Sequence, residues 1–265
     1  MPYNLPAGST ALIAGASEGI GAAFAFHLAA AGIHLVLVAR RLEPLEQLTA
    51  ELKEKYPIAV ECLKSDLSDA QATLEIKKCL QGKVIDILVY NAALSFIGPF
   101  ENNSLEEQRQ IAQTNMISPM NMIKIFGEPM LSKGSGAIVL MASLAGFQGS
   151  GFLAAYAATK AFNRVLAESL WYEWKSRGVN VIACCAGATA TPNYINSKPE
   201  KTSFFAPRVQ SPAEVVSECF EQLGQQPSFI TGRGNRWASF IMQKLLPRKM
   251  AITIMGDTTR KMYRF

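Results

Sequence analysis

The sequence predicts an α/β fold in which helices cover both faces of a doubly wound parallel sheet of seven strands. Short β-branched runs alternate with longer segments of helical periodicity, which is the pattern of repeated strand–helix–strand units. The apolar runs are continuous, as expected for parallel strands that are buried on both faces. A chain of 265 residues, 49% hydrophobic and 18% charged, is long enough to enclose one large core.

Each element follows from this alternation in chain order. The run Thr10-Ala-Leu-Ile-Ala gives the first strand, and the segment after it keeps helical spacing through Phe24 and Leu28. The predicted strands span 10–15, 34–39, 58–64, 85–91, 137–142, 179–185 and 228–231. The predicted helices span 19–31, 43–55, 69–80, 104–127, 153–177 and 212–224. No repeat or linker divides the chain, so we expect one domain over 1–232 and a basic extension over 233–265 that packs on it.

Cysteine usage and the absence of export signals indicate a cytoplasmic protein. The cysteines lack the paired short spacings of a zinc site or a disulfide framework, so we expect no metal and reduced core thiols. They are Cys62, Cys79, Cys184, Cys185 and Cys219. Residues 1–10 do not resemble a secretory signal. Segments 19–39 and 134–159 lack charged residues, but glycines interrupt both where a strand would end and a helix begin, so we predict no membrane span.

A glycine-rich turn follows the first strand. It reads Gly15-Ala-Ser-Glu-Gly19-Ile-Gly21 and opens the first helix. Glycines allow close approach of the backbone to a pyrophosphate, and the helix N-terminus offers free amides. The alternative is an ordinary turn that needs positive φ, but its place between strand and helix favours phosphate binding by Gly15, Ser17, Gly19, Ile20 and Gly21.

The second strand ends in Arg40-Arg41. An acidic residue here would bind the ribose hydroxyls of NAD, whereas a basic residue accommodates the 2′-phosphate of NADP. The guanidinium fork matches phosphate oxygens, so we predict NADP(H), with NAD(H) as the less favoured cofactor. Glu18 argues against this because it adds negative charge nearby, and a solvated arginine pair is the alternative.

A tyrosine and a lysine lie four residues apart in a predicted helix. Tyr156 and Lys160 therefore share one helix face. A core tyrosine beside a lysine that extends its amine to solvent is the alternative. Ser143, at the end of the fifth strand, and Asn115, in the preceding helix, favour a catalytic group instead.

These motifs together resemble the short-chain dehydrogenase/reductase family over roughly residues 8–232. The matching elements, in family order, are the glycine-rich turn, Asp66, Asn91-Ala-Ala, Asn115, Ser143, Tyr156 and Lys160. The resemblance implies a Rossmann-like fold and an oxidoreductase that interconverts a ketone and a secondary alcohol with NADP(H).

Family roles follow for individual positions. Tyr156 would act as the acid/base, Lys160 would lower its pKa and bind the nicotinamide ribose, Ser143 would orient the carbonyl, and Asn115 would hold a water relay. The resemblance further implies cofactor contacts at Asp66, Leu67, Asn91, Ala92, Ala93, Gly187, Thr189 and Thr191. Tyr90, Ala93 and Ala186 depart from the family's usual residues, and these departures concern loop shape around the cofactor.

The substrate is predicted to be lipophilic. The connection 187–211, where the family places its lid, contains Tyr194, Ile195, Phe204 and Phe205, and other aromatic residues follow the fourth and fifth strands. Those are Phe96, Phe100, Phe147 and Phe152. Together they favour a 3-oxoacyl, steroid or aryl ketone, although aromatic residues are also common in cores.

The fold alone leaves one alternative function open, and the charge and the resemblance indicate the partners. The alternative is a scaffold that binds NADP(H) without turnover, since fold alone does not specify function. A net charge of +5 is modest and no groove-reading motif is present, so no nucleic-acid partner is expected. The resemblance implies a homodimer or homotetramer through helices 104–127 and 153–177.

The segment 231–265 is strongly basic, with eight basic residues against one acidic. Trp237, Phe240, Ile241 and Leu245 follow helical spacing with basic residues nearby, which indicates a basic amphipathic helix. Two interpretations are open. The apolar face packs on the enzyme's own core or on a sister subunit, or it makes a weak peripheral contact with a membrane.

Overall fold

The protein is built on one parallel sheet. The computed structural model describes residues 6–197 and 209–265. Seven parallel strands lie in the order β3-β2-β1-β4-β5-β6-β7. They are β1 Thr10–Ala14, β2 His34–Ala39, β3 Val60–Lys64, β4 Ile87–Tyr90, β5 Gly136–Ser143, β6 Val179–Ala186 and β7 Ser228–Ile230. The predicted doubly wound, Rossmann-like α/β fold is confirmed.

Helices cover both faces of this sheet. They are α1 Gly19–Ala30, α2 Leu42–Lys55, α3 Ala72–Cys79, α4 Leu105–Ala112, α5 Ser118–Lys133, α6 Ala154–Trp174, α7 Pro192–Asn196, α8 Pro212–Gln222, α9 Arg233–Phe240 and α10 Arg248–Tyr263. One core cluster includes residues of α1, α2 and α8, and a second includes residues of α3, α5 and α6. The strand order reverses between β1 and β4, which creates a crevice at their carboxyl ends.

The predicted single helix 104–127 is wrong. The chain forms α4 and α5 with a π-helical turn, Gln113–Ile117, between them. Pro119 explains the interruption, because it lacks the N–H that would bond to the carbonyl of Asn115, and its ring would clash with that carbonyl. Ser118 N instead donates to the Gln113 carbonyl, five residues back.

The end of α5 also differs from the expectation of a stop at residue 127. The helix continues to Lys133 and ends at Gly134, which has φ +72°. Gly127 lies inside this helix. A side chain would not fit there, because a Cβ would come within 2.8 Å of the Trp174 ring. This glycine permits close packing of α5 on α6 rather than ending the helix.

The basic extension forms α9 and α10, joined by a π-helical segment, Ile241–Leu245. Trp237, Phe240, Ile241 and Leu245 are exposed. The expectation that this apolar face packs on the enzyme's own core is therefore wrong. The extension contacts the domain through its other faces, because buried Asn235 bonds the Thr231 carbonyl and Arg248 Nη1 donates to the Phe147 carbonyl at 2.8 Å.

The cysteines are all free, and Cys184, Cys185 and Cys219 are buried. Cys79 is exposed at the end of α3, so the expectation of five core thiols is wrong at this position. Within residues 6–197 and 209–265, no helix has the length and apolar character needed to cross a membrane.

His27 makes the free energy of unfolding depend on pH in the acidic range. Its ring stacks on Phe220 with centroids 4.7 Å apart, and its buried Nε2 has no hydrogen-bond partner within the described part of the chain. Burial lowers the pKa of His27. Because the unfolded state then binds the proton more tightly, stability falls as the pH drops below about 6.5, the ordinary histidine pKa.

We expect the His27→Phe variant to keep the stacking on Phe220 and to lose less unfolding free energy than the wild type between about pH 7 and pH 5. Urea unfolding at several pH values measures this difference. Identical pH profiles for the two proteins would show that His27 contributes nothing to acid sensitivity.

Candidate active site

A cavity of about 890 Å³ lies at the carboxyl ends of the strands. This is the edge at which doubly wound sheets bind ligands. The predicted site residues that line it are Gly15, Ser17, Gly19, Ile20, Arg40, Arg41, Asp66, Leu67, Asn91, Ala92, Ala93, Ser143, Tyr156, Lys160, Gly187, Thr189 and Thr191. Gly21 and Asn115 are not among the lining residues.

The glycine-rich turn has no room for side chains. Gly15 and Gly19 have φ of +80° and +59°. A Cβ on Gly15 would lie 2.6 Å from Ala92 N, and one on Gly21 would lie 1.9 Å from the Gly15 carbonyl oxygen. Asn91 Nδ2 donates to that same oxygen at 2.8 Å. No side chain caps the first turn of α1, so its amides can bind an anion.

The two arginines after β2 have different surroundings. Arg41 forms an ion pair with Glu18, with Nη2 and Oε2 2.6 Å apart. Arg40 is exposed, lines the cavity and forms no ion pair with a described residue. Glu18 therefore neutralises Arg41 and leaves Arg40 available for an anion.

The turn after β3 is held by side-chain hydrogen bonds. Asp66 Oδ1 accepts from Ser68 N at 3.0 Å and from Ser68 Oγ at 2.8 Å. The Leu67 carbonyl accepts from Ser118 Oγ at 2.8 Å, which ties the turn to α5. Asp66 and Leu67 are thereby fixed at the cavity wall.

Ser143, Tyr156 and Lys160 converge at the end of β5. Tyr156 and Lys160 lie one turn apart on α6, and Ser143 is near enough to the Tyr156 phenol to lower its pKa. Lys160 Nζ donates to the Met141 carbonyl at 2.7 Å and lies 5.6 Å from the centre of the Tyr156 ring. The alternative of a core tyrosine beside a solvent-directed lysine is wrong, because Lys160 is buried.

The acidities of these groups differ from the expectation. Burial raises the pKa of Tyr156, the hydrogen bond with Ser143 lowers it in part, and the Tyr263 phenol adds to the rise. Burial lowers the pKa of Lys160 to about 8. Lys160 is not among the groups that shift the pKa of Tyr156 here, and its Nζ is bound to the Met141 carbonyl, so a lowering of that pKa by Lys160 stays a prediction. Burial therefore favours the proton-bearing phenol of Tyr156 over its phenolate.

Asn115 occupies the π-helical turn and is fully buried. Its Oδ1 accepts from Leu94 N at 2.8 Å, and its Nδ2 donates to the Leu94 carbonyl at 2.9 Å and to Thr159 Oγ1 at 3.0 Å. It thus joins the loop after β4 to the helix that carries Tyr156. Tyr90, which departs from the family residue, lies in the core and donates from its hydroxyl to the Thr114 carbonyl at 2.6 Å.

The segment after β6 closes the other side of the cavity. Thr189 Oγ1 donates to the Gly187 carbonyl at 3.1 Å, and Thr191 Oγ1 accepts from Tyr194 N at 3.2 Å to begin α7. A Cβ on Gly187 would lie 2.5 Å from Asn235 Nδ2, so α9 packs directly against this segment.

Most of the aromatic residues predicted to line the substrate pocket do not line this cavity. Phe96, Phe100, Phe147 and Phe152 do not line the cavity, and Phe204 and Phe205 lie outside the described residues. Phe100 is exposed, Phe147 packs against the core, and Phe152 stacks on Phe265 at 4.9 Å. Of the aromatic residues predicted for the lid, Tyr194 does line the cavity.

The basic extension supplies much of this wall instead, which the sequence analysis missed. Lining residues from α9, α10 and the segment between them are Gly234, Asn235, Ala238, Ser239, Met242, Ile254, Met255, Thr258, Thr259, Met262 and Tyr263. Ile254, Thr258 and Met262 recur every four residues, which is the spacing of one helix face. That spacing was the available signal, but it does not reveal which surface the face contacts.

The charged and the uncharged residues that line the cavity come from different parts of the chain. The charged lining residues within the described chain are Glu18, Arg40, Arg41, Asp66 and Lys160. Glu18 follows β1, the two arginines follow β2, and Asp66 follows β3. The wall from α7, α9 and α10 consists of apolar and uncharged polar side chains. The charged residues suit an anionic ligand, and the uncharged wall suits a lipophilic ligand.

Comparison with known proteins gives the family. The family model for short chain dehydrogenases matches residues 9–202. The chain belongs to the short chain dehydrogenase family. It is accordingly an oxidoreductase that acts on CH–OH or C=O groups.

Three similar proteins illustrate the relationship. A 7β-hydroxysteroid dehydrogenase from Clostridium sardiniense is 30% identical over 236 residues, which cover 89% of this chain and 90% of the relative. A solved 7β-hydroxysteroid dehydrogenase structure has a TM-score of 0.88 at 26% identity, covering 94% and 96% of the two chains. A short-chain dehydrogenase from Sphingobium yanoikuyae, solved with NADPH, has a TM-score of 0.76 at 29% identity, covering 88% and 92%.

Proposed function

We propose that the protein is an NADP(H)-dependent reductase of lipophilic ketones, with Tyr156 as the proton donor. The observation that carries this proposal is the convergence of Ser143, Tyr156 and Lys160 in the cavity that also holds the glycine-rich turn. Three independent sequence motifs meet at one strand edge. A structural role for Tyr156 alone would not require this arrangement.

The cavity fits a dinucleotide. The turn formed by Gly15 and Gly19 excludes side chains and presents uncapped helix amides, which suits a pyrophosphate. Asp66 and Asn91 would line the adenosine half, and Lys160 and Thr191 the nicotinamide half. When bound, the nicotinamide supplies or accepts the hydride.

The chain itself supplies the proton and the orientation of the substrate. Tyr156 donates its phenolic proton to the carbonyl oxygen during reduction, and Ser143 donates a hydrogen bond to the same oxygen. Burial raises the pKa of Tyr156, which favours the protonated phenol that this step requires.

The substrate class follows from the neutral wall. Met242, Met255 and Met262 are flexible and polarizable, and Tyr194 and Tyr263 add aromatic surface. Such a wall suits a bulky, uncharged ketone, and the relative from Clostridium sardiniense is named for action on 7β-hydroxysteroids. We therefore propose steroid-like or similarly bulky ketones as substrates.

We expect NADPH to be preferred over NADH because Arg40 is free to bind a 2′-phosphate. The Arg40→Ala variant should lose about tenfold or more in kcat/KM with NADPH, the effect of one charge-assisted hydrogen bond, and little with NADH. Glu18→Gln should raise the efficiency with NADPH, because it frees Arg41. Lys64→Ala serves as the control, since that lysine is exposed and does not line the cavity. Equal efficiency of the wild type with both cofactors would overturn the assignment.

The test of the proposed function is turnover on a panel of hydrophobic ketones with NADPH. The alternative, a scaffold that binds NADP(H) without turnover, predicts a measurable Kd for NADPH and no reduction of any ketone. We expect both binding and turnover, with the highest kcat/KM for bulky, uncharged ketones.

A further inference from the structure

The surface of α9 and the segment after it carries an exposed apolar stripe. It consists of Trp237, Phe240, Ile241 and Leu245, which we call the α9 stripe. Their exposed fractions are 69%, 50%, 42% and 64%, and Trp237 contacts Phe240 edge to face with centroids 6.3 Å apart. Four large apolar side chains along one helical face are unusual on a surface that faces only water.

Positive charge surrounds this stripe. Arg233, Lys244 and Lys249 are exposed, and none of them forms an ion pair within the described chain. Between residues 231 and 265 there are eight basic residues and one acidic residue, Asp257, whereas the net charge of the whole chain is +5. The rest of the chain therefore has a charge of 5 − 7 = −2. The excess of positive charge is concentrated beside the stripe.

The opposite side of the same helix faces the cavity. Asn235, Ala238, Ser239 and Met242 line it. One helix therefore separates the candidate substrate site from the α9 stripe. A surface that covered the stripe would lie next to the uncharged wall of the cavity.

We propose that the α9 stripe docks on an anionic lipid surface as a peripheral, interfacial contact. Apolar side chains enter the boundary between headgroups and acyl chains, while Arg233, Lys244 and Lys249 attract anionic headgroups. A second copy of the chain is a poorer occupant. A two-fold contact on this stripe would bring the same cations of both copies together and supply only Asp257 as an acidic residue from the extension.

Vesicle sedimentation of the full-length protein tests this proposal. We expect binding to vesicles of equal parts phosphatidylcholine and phosphatidylserine, little binding to phosphatidylcholine alone, and loss of binding as salt is raised. The fluorescence of Trp237 should shift to the blue on binding, and the shift should be missing in Trp237→Ala.

Variants locate the contact. The double variant Lys244→Glu and Lys249→Glu should reduce the bound fraction at least about fivefold, and Trp237→Ala should weaken it as well. The matched controls are Lys53→Glu and Tyr172→Ala, which change exposed residues on α2 and α6 and should bind like the wild type. Turnover of a water-soluble ketone should be unchanged in all four proteins.

Three results would overturn the proposal. One is failure of the wild type to sediment with anionic vesicles at low salt. The other is a stable dimer in light scattering that Trp237→Ala dissociates, which would assign the stripe to a second copy. Equal loss of sedimentation in the controls would also contradict a contact through the α9 stripe.

Discussion

The Tyr156→Phe variant is expected to lose about two to four orders of magnitude in kcat for ketone reduction, the usual effect of removing a general acid. The phenyl ring retains the packing of Tyr156 on α6, and only the hydroxyl is lost. The Kd for NADPH should change little, because the glycine-rich turn and Arg40 are untouched. Steady-state kinetics and fluorescence titration of NADPH separate the two effects.

The matched control is Tyr194→Phe. Tyr194 lines the same cavity from α7, but it is not part of the group formed by Ser143, Tyr156 and Lys160. Loss of the Tyr194 hydroxyl should alter KM for some ketones and leave kcat within about a factor of ten of the wild-type value. Wild-type turnover by Tyr156→Phe would rule out the phenol as the proton donor.

The Gly21→Ala variant is expected to weaken NADPH binding by about one hundredfold. The new Cβ would lie 1.9 Å from the Gly15 carbonyl oxygen and 2.9 Å from Asn91 Nδ2, so the turn must move away from α1. This movement disrupts the hydrogen bond between Asn91 and Gly15 and displaces the backbone that would approach the pyrophosphate. Overpacking should also lower the free energy of unfolding by about 1–3 kcal/mol.

Gly256→Ala is the control for Gly21→Ala. Gly256 lies within α10, and a Cβ there would meet no atom within 4 Å. This variant should bind NADPH normally and be about 0.5–1 kcal/mol more stable, because alanine favours a helix interior. Normal NADPH affinity in Gly21→Ala would show that the turn does not bind the cofactor.

The sheet and the strand-end residues could be predicted because they follow from local patterns. Parallel strands place their carboxyl ends on one edge, so Gly15, Arg40 and Ser143 were expected to lie near one another. The spacing of Tyr156 and Lys160 required only the period of one helix. These features need no knowledge of contacts between distant segments.

The π-helical turn and the cavity wall could not be predicted in the same way. Pro119 was a visible signal for the interruption, but helical periodicity on both sides hid it. The contacts of α9 and α10 with the strand ends join segments far apart in sequence, and both faces of α9 carry side chains that are able to pack. Sequence spacing therefore identified the apolar stripe that includes Trp237 but left open what it contacts, whereas the structure shows that Met242 lines the cavity and Trp237 is exposed.

The most direct test of the central claim is deuterium transfer. The wild type is incubated with a bulky, uncharged ketone and NADPH that carries deuterium at the reactive carbon, and the alcohol product is analysed by mass spectrometry. We expect one deuterium on the carbinol carbon of the product, with formation slowed in Tyr156→Phe. Tight binding of NADPH without deuterated alcohol from any ketone in the panel would contradict it.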